Sequence, residues 1–360
     1  KLQPGEIVEV DLLTKNKTHF IYWNIKEKLN DLKFEKEEFF EIFKRSVNLR
    51  LESDVPIANF LSGGIDSTSI IKAIYDSGKN INSFSAIFEN QDFDESKWSR
   101  LVSEKYSTNH FEEKLDLNLS IDSVLESIDI FDEPYCDPST VPSYYLSKLI
   151  SKNYKVAISG DGGDELLGGY PRVAQALKNK NIFQNTYSKI SKLYPAYLGS
   201  GYGFTKYSNN IYENYSKHYE DDKFLDLLKI DYDHSLYIDL NKDYKNLLFK
   251  DYSVYLSEMM LLKIDRTSMA NSLEVRSPFV DHELVEYIFS HSTPYFDGSN
   301  QKVLLKNYLL EDFDQKFIDR KKMGFVFDIE YFIYSNFNEI REIAMGANLE
   351  IAELEKTLNK

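Results

Sequence analysis

Apolar and polar positions change rhythm three times along this chain. Residues 6–10 (Glu-Ile-Val-Glu-Val) alternate and then turn, and residues 18–24 (Thr-His-Phe-Ile-Tyr-Trp-Asn) follow, which predicts two strands. This pair reads as the tail of something preceding it. Residues 35–53 predict a helix. From 55 to 170 the rhythm becomes strand, helix, strand, helix. Strands are predicted over 55–61, 81–88, 110–115 and 154–159, and helices over 67–77, 94–106, 121–130 and 143–151. Buried strands alternating with helices imply parallel βαβ units. Beyond about 172 the pattern is mostly helical, with no strong strand candidate before 360. The fold class expected is therefore α/β, a parallel sheet flanked by helices, with a mostly helical C-terminal half. Residues 1–28 are expected to be a linker, and 29–360 the main domain, with an α/β part over about 50–172 and a helical part over about 173–360.

Ligands in such sheets sit outside the carboxyl ends of the strands. Two glycine-rich turns, 62–67 and 160–169, fall at that edge. The first is Ser62-Gly63-Gly64-Ile65-Asp66-Ser67. Its glycines let backbone approach an anion, its serines offer hydroxyls, and the helix beyond it aims its amides and positive end at the loop. It is not a Walker A loop, because no lysine ends it. Asp66 stands there instead. A carboxylate beside a phosphate is repulsive unless a cation lies between them, so Asp66 predicts Mg²⁺. The plain alternative is a strand–helix turn with a capping serine. The second turn, Ser159-Gly160-Asp161-Gly162-Gly163-Asp164-Glu165-Leu166-Leu167-Gly168-Gly169-Tyr170, holds five glycines and three acids in twelve residues. Those carboxylates cannot all face one another without a metal or a shared proton. The plain alternative here is a solvated loop.

Composition narrows the partners. The net charge of −15 repels nucleic acid and anionic membrane, so small polar substrates and a cytoplasmic setting are expected. Cys136 is the only cysteine, which excludes an internal disulfide and a cysteine-based zinc site. No apolar run approaches the ~20 residues that cross a bilayer. The first residues do not resemble a signal peptide, and Lys1 in place of Met suggests a piece of a longer chain. Tyr187, Tyr194, Tyr197, Tyr202 and Tyr207 read as helix-packing surface, because base stacking would want interleaved arginine and lysine.

The two loops together carry a resemblance. S-G-G-I-D-S is similar to the pyrophosphate loop of the N-type ATP pyrophosphatases (adenine nucleotide alpha hydrolase-like), which include GMP synthetase and tRNA-thiolating enzymes. S-G-D-G-G-D-E-L-L-G-G-Y resembles the synthetase domain of glutamine-dependent asparagine synthetases. Asp132-Glu133-Pro134 with Asp137-Pro138-Ser139, the run Lys263–Ala270, the run Ser272–Asp281, and Arg320-Lys321-Lys322-Met323-Gly324-Phe325 resemble further motifs of that family in order. The opening of the chain is similar to the linker leaving the family's glutaminase domain.

The resemblance implies adenylation of the aspartate side chain by ATP, then attack by ammonia to give asparagine and AMP. It implies that Ser62, Gly63, Gly64 and Ser67 hold pyrophosphate, that Asp66 and Asp164 hold Mg²⁺, and that Leu61, Ala86, Ser159 and Gly160 contact the nucleotide. Asp161 matches a position, Glu or Asp in the family, that orients the substrates and accepts a proton from ammonia. Lys322 matches a lysine that stabilises phosphate charge. Asp265, Arg266, Glu274 and Arg276 have counterparts, but their spacing suits structural ion pairs. The acceptor pocket is less legible. Asp132, Glu133, Asp137 and Ser139 could hold an amine, no arginine lies in 131–145, and Arg172 is the nearest. Family members acting on surface glycans, lasso peptides or β-lactam precursors keep the loops and change that pocket, so another acid, or a non-catalytic nucleotide-binding module, stays open. A tRNA-modifying role would need a basic face and usually more cysteines. The family's glutaminase nucleophile is an N-terminal cysteine. With Lys1 there, and Cys136 reading as a small apolar contact, ammonia is expected to come free or from a missing N-terminal glutaminase domain. A homodimer is a further expectation.

Overall fold

The computed structural model describes residues 2–88, 95–115, 120–133, 135, 137–178, 215, 243–292, 300–320 and 329–346. The aromatic residues named between 187 and 207, together with Pro134, Cys136 and Lys322, lie outside them. Strand β1 (Glu6–Val10) pairs antiparallel with β2 (Lys17–Ile21), which stops three residues short of the expected end. After the short β3 (Leu32–Lys33) comes helix α1 (Lys36–Leu49). Its Phe39, Phe43 and Val47 recur every four residues and are fully buried, a single stripe facing the core.

The centre is a parallel sheet of five described strands. In chain order these are β4 (Ile57–Phe60), β5 (Asn82–Phe88), β6 (Asn109–Leu115), β7 (Val156–Ile158) and β8 (Glu274–Arg276). Between them lie α2 (Ile65–Asp76), α3 (Ser96–Tyr106), α4 (Ile121–Ile128) and α5 (Thr140–Ile150). The spatial order is β6-β5-β4-β7-β8. The chain moves outward from β4 on one side and returns on the other, so the order reverses between β4 and β7. Ile57, Ala58 and Asn59 pair with Val156, Ala157 and Ile158, and the two strands release their chains side by side at that reversal. This is the crevice where open parallel sheets bind ligands.

Helices cover both faces. On one, Ala58, Phe84 and Ala157 meet Leu146 and Ile150 of α5. On the other, Leu61 and Ile158 join the larger core with α1, α2 and the helix His282–Ser290. Among the described residues, no helix is long and apolar enough to cross a membrane.

Strand β8 lies beyond 172, where the sequence shows no strong strand candidate. It has three residues, with Glu274 exposed and Arg276 half-buried, so no apolar run marks it. Pairing creates it: Glu274 N donates to Lys155 O, and Ser159 N to Arg276 O, both at 2.9 Å. A second short strand, β9 (His291–Ser292), pairs parallel with β3.

Candidate active site

The first loop leaves β4 at Leu61, which is buried and whose N–H donates to Phe84 O at 2.8 Å. Ser62 Oγ then accepts from Gly64 N at 3.1 Å and lies 3.3 Å from Ser67 Oγ. These bonds turn the chain into α2, with Gly64 as the residue before its first turn. Gly63 has φ +75°, and a Cβ there would sit 2.7 Å from Trp98 Cβ and 2.9 Å from Ser99 N. Only glycine fits both the backbone and the wall formed by the start of α3. Arg320 closes the loop from the other side: its guanidinium donates to Gly63 O and lies 4.2 Å from the Phe317 ring centre. Burial holds that guanidinium below its usual range.

The second loop leaves β7 at Ser159. Its Oγ is buried and has no hydrogen-bond partner among the described residues. A buried hydroxyl left without a partner is costly, and a nucleotide at this edge would supply one. Helix α6 (Gly163–Leu167) comes next. The two loops are fitted tightly. A Cβ on Gly160 would lie 3.0 Å from Asp66 Cβ, and one on Gly163 would lie 2.6 Å from Asp66 Oδ1. The glycines of this loop thus let it close over Asp66. Asp161 turns its backbone carbonyl to Ser277 Oγ. Ala86 lies on neighbouring β5, beside Glu113 in register and packed on the smaller core.

Asp66 and Asp164 converge on one ammonium. Lys302 Nζ contacts Asp66 Oδ2 and, at 2.5 Å, Asp164 Oδ1. The three side chains are 7%, 15% and 14% exposed, so the cluster is sheltered from solvent. Two carboxylates from different loops therefore share a point cation. The pair fits Mg²⁺ on this ground, because Mg²⁺ commonly takes one or two carboxylates and completes its shell with phosphate oxygens and water. Among the described residues no third acid or histidine joins them.

Behind this cluster lies a buried polar network. Burial, reinforced by the neighbouring Asp164 charge, pushes the Glu165 carboxyl up to about 7. Tyr170 Oη donates to it at 2.6 Å. Arg172 pairs with the fully buried Asp251 at 3.0 Å and lies over the Tyr170 and Tyr255 rings. Burial raises Asp251 to about 6 against the pull of Arg172. The guanidinium expected to be nearest the acceptor is thus engaged inside the fold.

The acceptor segment finds a different cation. Lys263 Nζ donates to Ser139 Oγ at 2.7 Å and sits 3.4 Å from Asp137 Oδ2. Asp137 in turn accepts from Ser139 N at 2.7 Å. Asp132 pairs with Arg266, and Arg276 with Glu274 at 2.7 Å, as the ion-pair reading expected. Beside Asp137 opens an apolar cavity of about 230 Å³, walled by Val124, Ile128, Val141, Phe332, Ile333 and Ile343. Burial raises the Tyr255 hydroxyl above its ordinary value, with the charges of Asp137 and Glu165 adding to it.

The structure thus brings together Ser62, Gly63, Gly64, Asp66, Ser67, Ser159, Gly160 and Asp164. Sequence reasoning missed Lys302 and Lys263 as site residues. No local pattern marks Lys302, which is 236 residues from Asp66.

The asparagine synthase family matches residues 38–346. Asparagine synthetase [glutamine-hydrolyzing] 1 of Bacillus subtilis is 28% identical over 326 residues, covering 82% of this chain and 50% of that protein. Asparagine synthetase [glutamine-hydrolyzing] 2 of the same organism is 24% identical over 358 residues, covering 92% and 45%. The chain spans about half the length of these curated relatives. A U34-tRNA thiolase of Methanococcus maripaludis aligns at 14% identity with a TM-score of 0.28, over 66% of this chain and 79% of that one. The sheet order, not that loose likeness, carries the fold. The family match runs without a break across both loops, the strands that deliver them and the lysine between them, and the chain belongs to the asparagine synthase family.

Proposed function

We propose that this chain uses ATP to activate a carboxylate, releasing pyrophosphate, and that ammonia then displaces AMP to leave an amide. The observation that carries this is the convergence of Asp66 and Asp164, from two loops at the sheet's reversal point, on one cation. In the first step a carboxylate oxygen attacks the α-phosphorus. The bond from that phosphorus to the α–β bridging oxygen breaks, and pyrophosphate leaves with the electron pair. Backbone amides and hydroxyls of Ser62, Gly63, Gly64 and Ser67 would hold the departing pyrophosphate. Bound at Asp66 and Asp164, Mg²⁺ would neutralise the developing charge. Leu61, Ala86, Ser159 and Gly160 would border the nucleotide. Arg320 brings the chain to the first loop, and Lys322, which lies outside the described residues, is taken as a phosphate contact from its place in the family motif alone. In the second step ammonia attacks the acyl carbon, AMP leaves, and Asp161 accepts the proton.

With aspartate as acceptor the product is asparagine, the reading favoured by the relatives' names. Lys263, set beside Asp137 and Ser139, is then the cation for the amino acid's carboxylate. A glutaminase domain joined through residues 1–28 would be the ammonia source. The test is incubation with ATP, Mg²⁺, aspartate and ammonium, measuring pyrophosphate and asparagine. Pyrophosphate release that ignores every acid, or nucleotide binding without release, would overturn the reading. The apolar cavity beside Asp137 favours a second reading, in which the acceptor is an acid with an apolar body. Aspartate offers that wall nothing to bury. Faster release with an aryl or alkyl acid than with aspartate would select it.

A further inference from the structure

We propose that Lys302 is the resident countercation of this site: it holds Asp66 and Asp164 together before nucleotide arrives and keeps a lone divalent ion out. The inference rests on the assignment of those two carboxylates to Mg²⁺.

The ammonium is built in. Lys302 sits at φ 52°, a left-handed conformation that a lysine rarely adopts, and it is the residue preceding the helix Val303–Leu309. Its N–H donates to Leu167 O at 3.3 Å, which fixes this backbone to the end of the second loop. The loop is shaped around the side chain. A Cβ on Gly169 would lie 2.2 Å from Lys302 Cε and 1.9 Å from Asp164 Oδ1. Neither Gly169 nor the left-handed backbone is needed for a plain surface ion pair.

Charge sets the order of binding. Among the described residues, two carboxylates and one ammonium leave the sheltered cluster at −1. A divalent ion seeking the same oxygens meets a positive charge already at hydrogen-bond distance from them, and two cations cannot share that position. Entry of the metal therefore requires Lys302 to leave, and a buried ammonium leaves only toward another anion. The ATP polyphosphate is such an anion. Metal and nucleotide then bind with positive coupling, each providing what the other's arrival displaces.

The experiment reads Mn²⁺ alone, by the electron paramagnetic resonance signal of the unbound ion, on the full chain without nucleotide. The wild type should bind Mn²⁺ weakly. Lys302→Gln should bind it at least about tenfold more tightly, and Asp66→Asn added to Lys302→Gln should remove the gain. Equal Mn²⁺ affinity in wild type and Lys302→Gln overturns the proposal. Thermal melts in EDTA and in Mn²⁺ cover a folding defect: the variant should recover stability with Mn²⁺, and a variant unfolded in both overturns the proposal. No turnover is involved. Absence of pyrophosphate release would sink the proposed reaction and leave this displacement standing.

Discussion

Gly163→Ala isolates the position of Asp66 from its chemistry. A Cβ at Gly163 would stand 2.6 Å from Asp66 Oδ1 and 2.8 Å from Cγ. Ordinary contact begins near 3.5 Å, so the overlap is about 0.9 Å. Gly163 opens helix α6 with an ordinary backbone, and alanine there is favoured over glycine by up to about 1 kcal/mol. Overpacking costs about 1–3 kcal/mol. The gain offsets only part of the cost, and the net destabilisation should not exceed about 3 kcal/mol. The Asp66 carboxylate is the mobile end of the clash and must swing away from Lys302 and Asp164. A displacement near 1 Å at a reacting centre costs on the order of 10²-fold in rate. The assay is pyrophosphate release with ATP, Mg²⁺, aspartate and ammonium, beside a thermal melt. Gly78→Ala is the control: its φ is +71° with nothing within 4 Å, so it should lose about 1 kcal/mol and no activity. Release by Gly163→Ala within about threefold of wild type, with an unchanged melt, would refute the requirement for Asp66 where it stands.

Asp66→Asn and Asp164→Asn should each remove pyrophosphate release and keep the circular dichroism of the fold; near-normal release by either would withdraw its metal role. Glu165 gives a pH dependence. Its carboxyl titrates near 7 in the fold against 4.5 in the unfolded chain, so the folded state holds the extra proton between those values. Stability should therefore fall as pH rises from 4.5 to about 7, by on the order of 3 kcal/mol. Glu165→Gln keeps an acceptor for Tyr170 and should match wild type in urea melts below that window and exceed it at pH 8; the opposite order would show that Glu165 is charged in the fold. Arg172→Met leaves Asp251 buried without its cation and should cost about 3–5 kcal/mol, while Arg172→Met with Asp251→Leu should recover most of it. Additive losses in that double variant would mean the pair is not coupled.

The parallel core was legible because its signals are local. Apolar runs of strand length ended by serine mark β4 and β7, while β5 is marked by Phe84, Ala86, Ile87 and Phe88 and β6 only by Phe111 and Leu115. Boundaries moved where a turn decided them: α2 begins at Ile65 rather than Ser67 because Gly64 takes an extended conformation as the residue before it. Strand β8 was illegible because its three residues become a strand only by pairing with β7. The site divided in the same way. Asp66 and Asp164 stand out through the glycines around them, whereas Lys302, the residue before a helix, and Lys263, within one, acquire their setting only from what the fold places opposite. Arg172 misled for the converse reason. Nearness in sequence to the acceptor segment said nothing of Asp251, 79 residues further on, which takes its charge.

The same division bears on how this family could vary its acceptor. The loops proposed for adenylation are fixed by backbone: strand ends side by side, serine–amide bonds within the turn, and glycines against which no side chain would fit. Few substitutions there would leave the geometry intact. The cavity beside Asp137 is walled by side chains of α4, the start of α5 and the helices Ile329–Ser335 and Phe337–Gly346. Those positions carry no strand register and no left-handed turn, so apolar residues of similar volume exchange there at a cost usually below about 1.5 kcal/mol. On the proposed reaction, acceptor choice could then drift without disturbing the phosphate chemistry. Lys263 bridges the two parts, since it belongs to a helix packed on α5 while its ammonium faces Asp137. A change of acceptor that keeps a carboxylate would keep Lys263, and the cavity wall would record what the rest of that acid looks like.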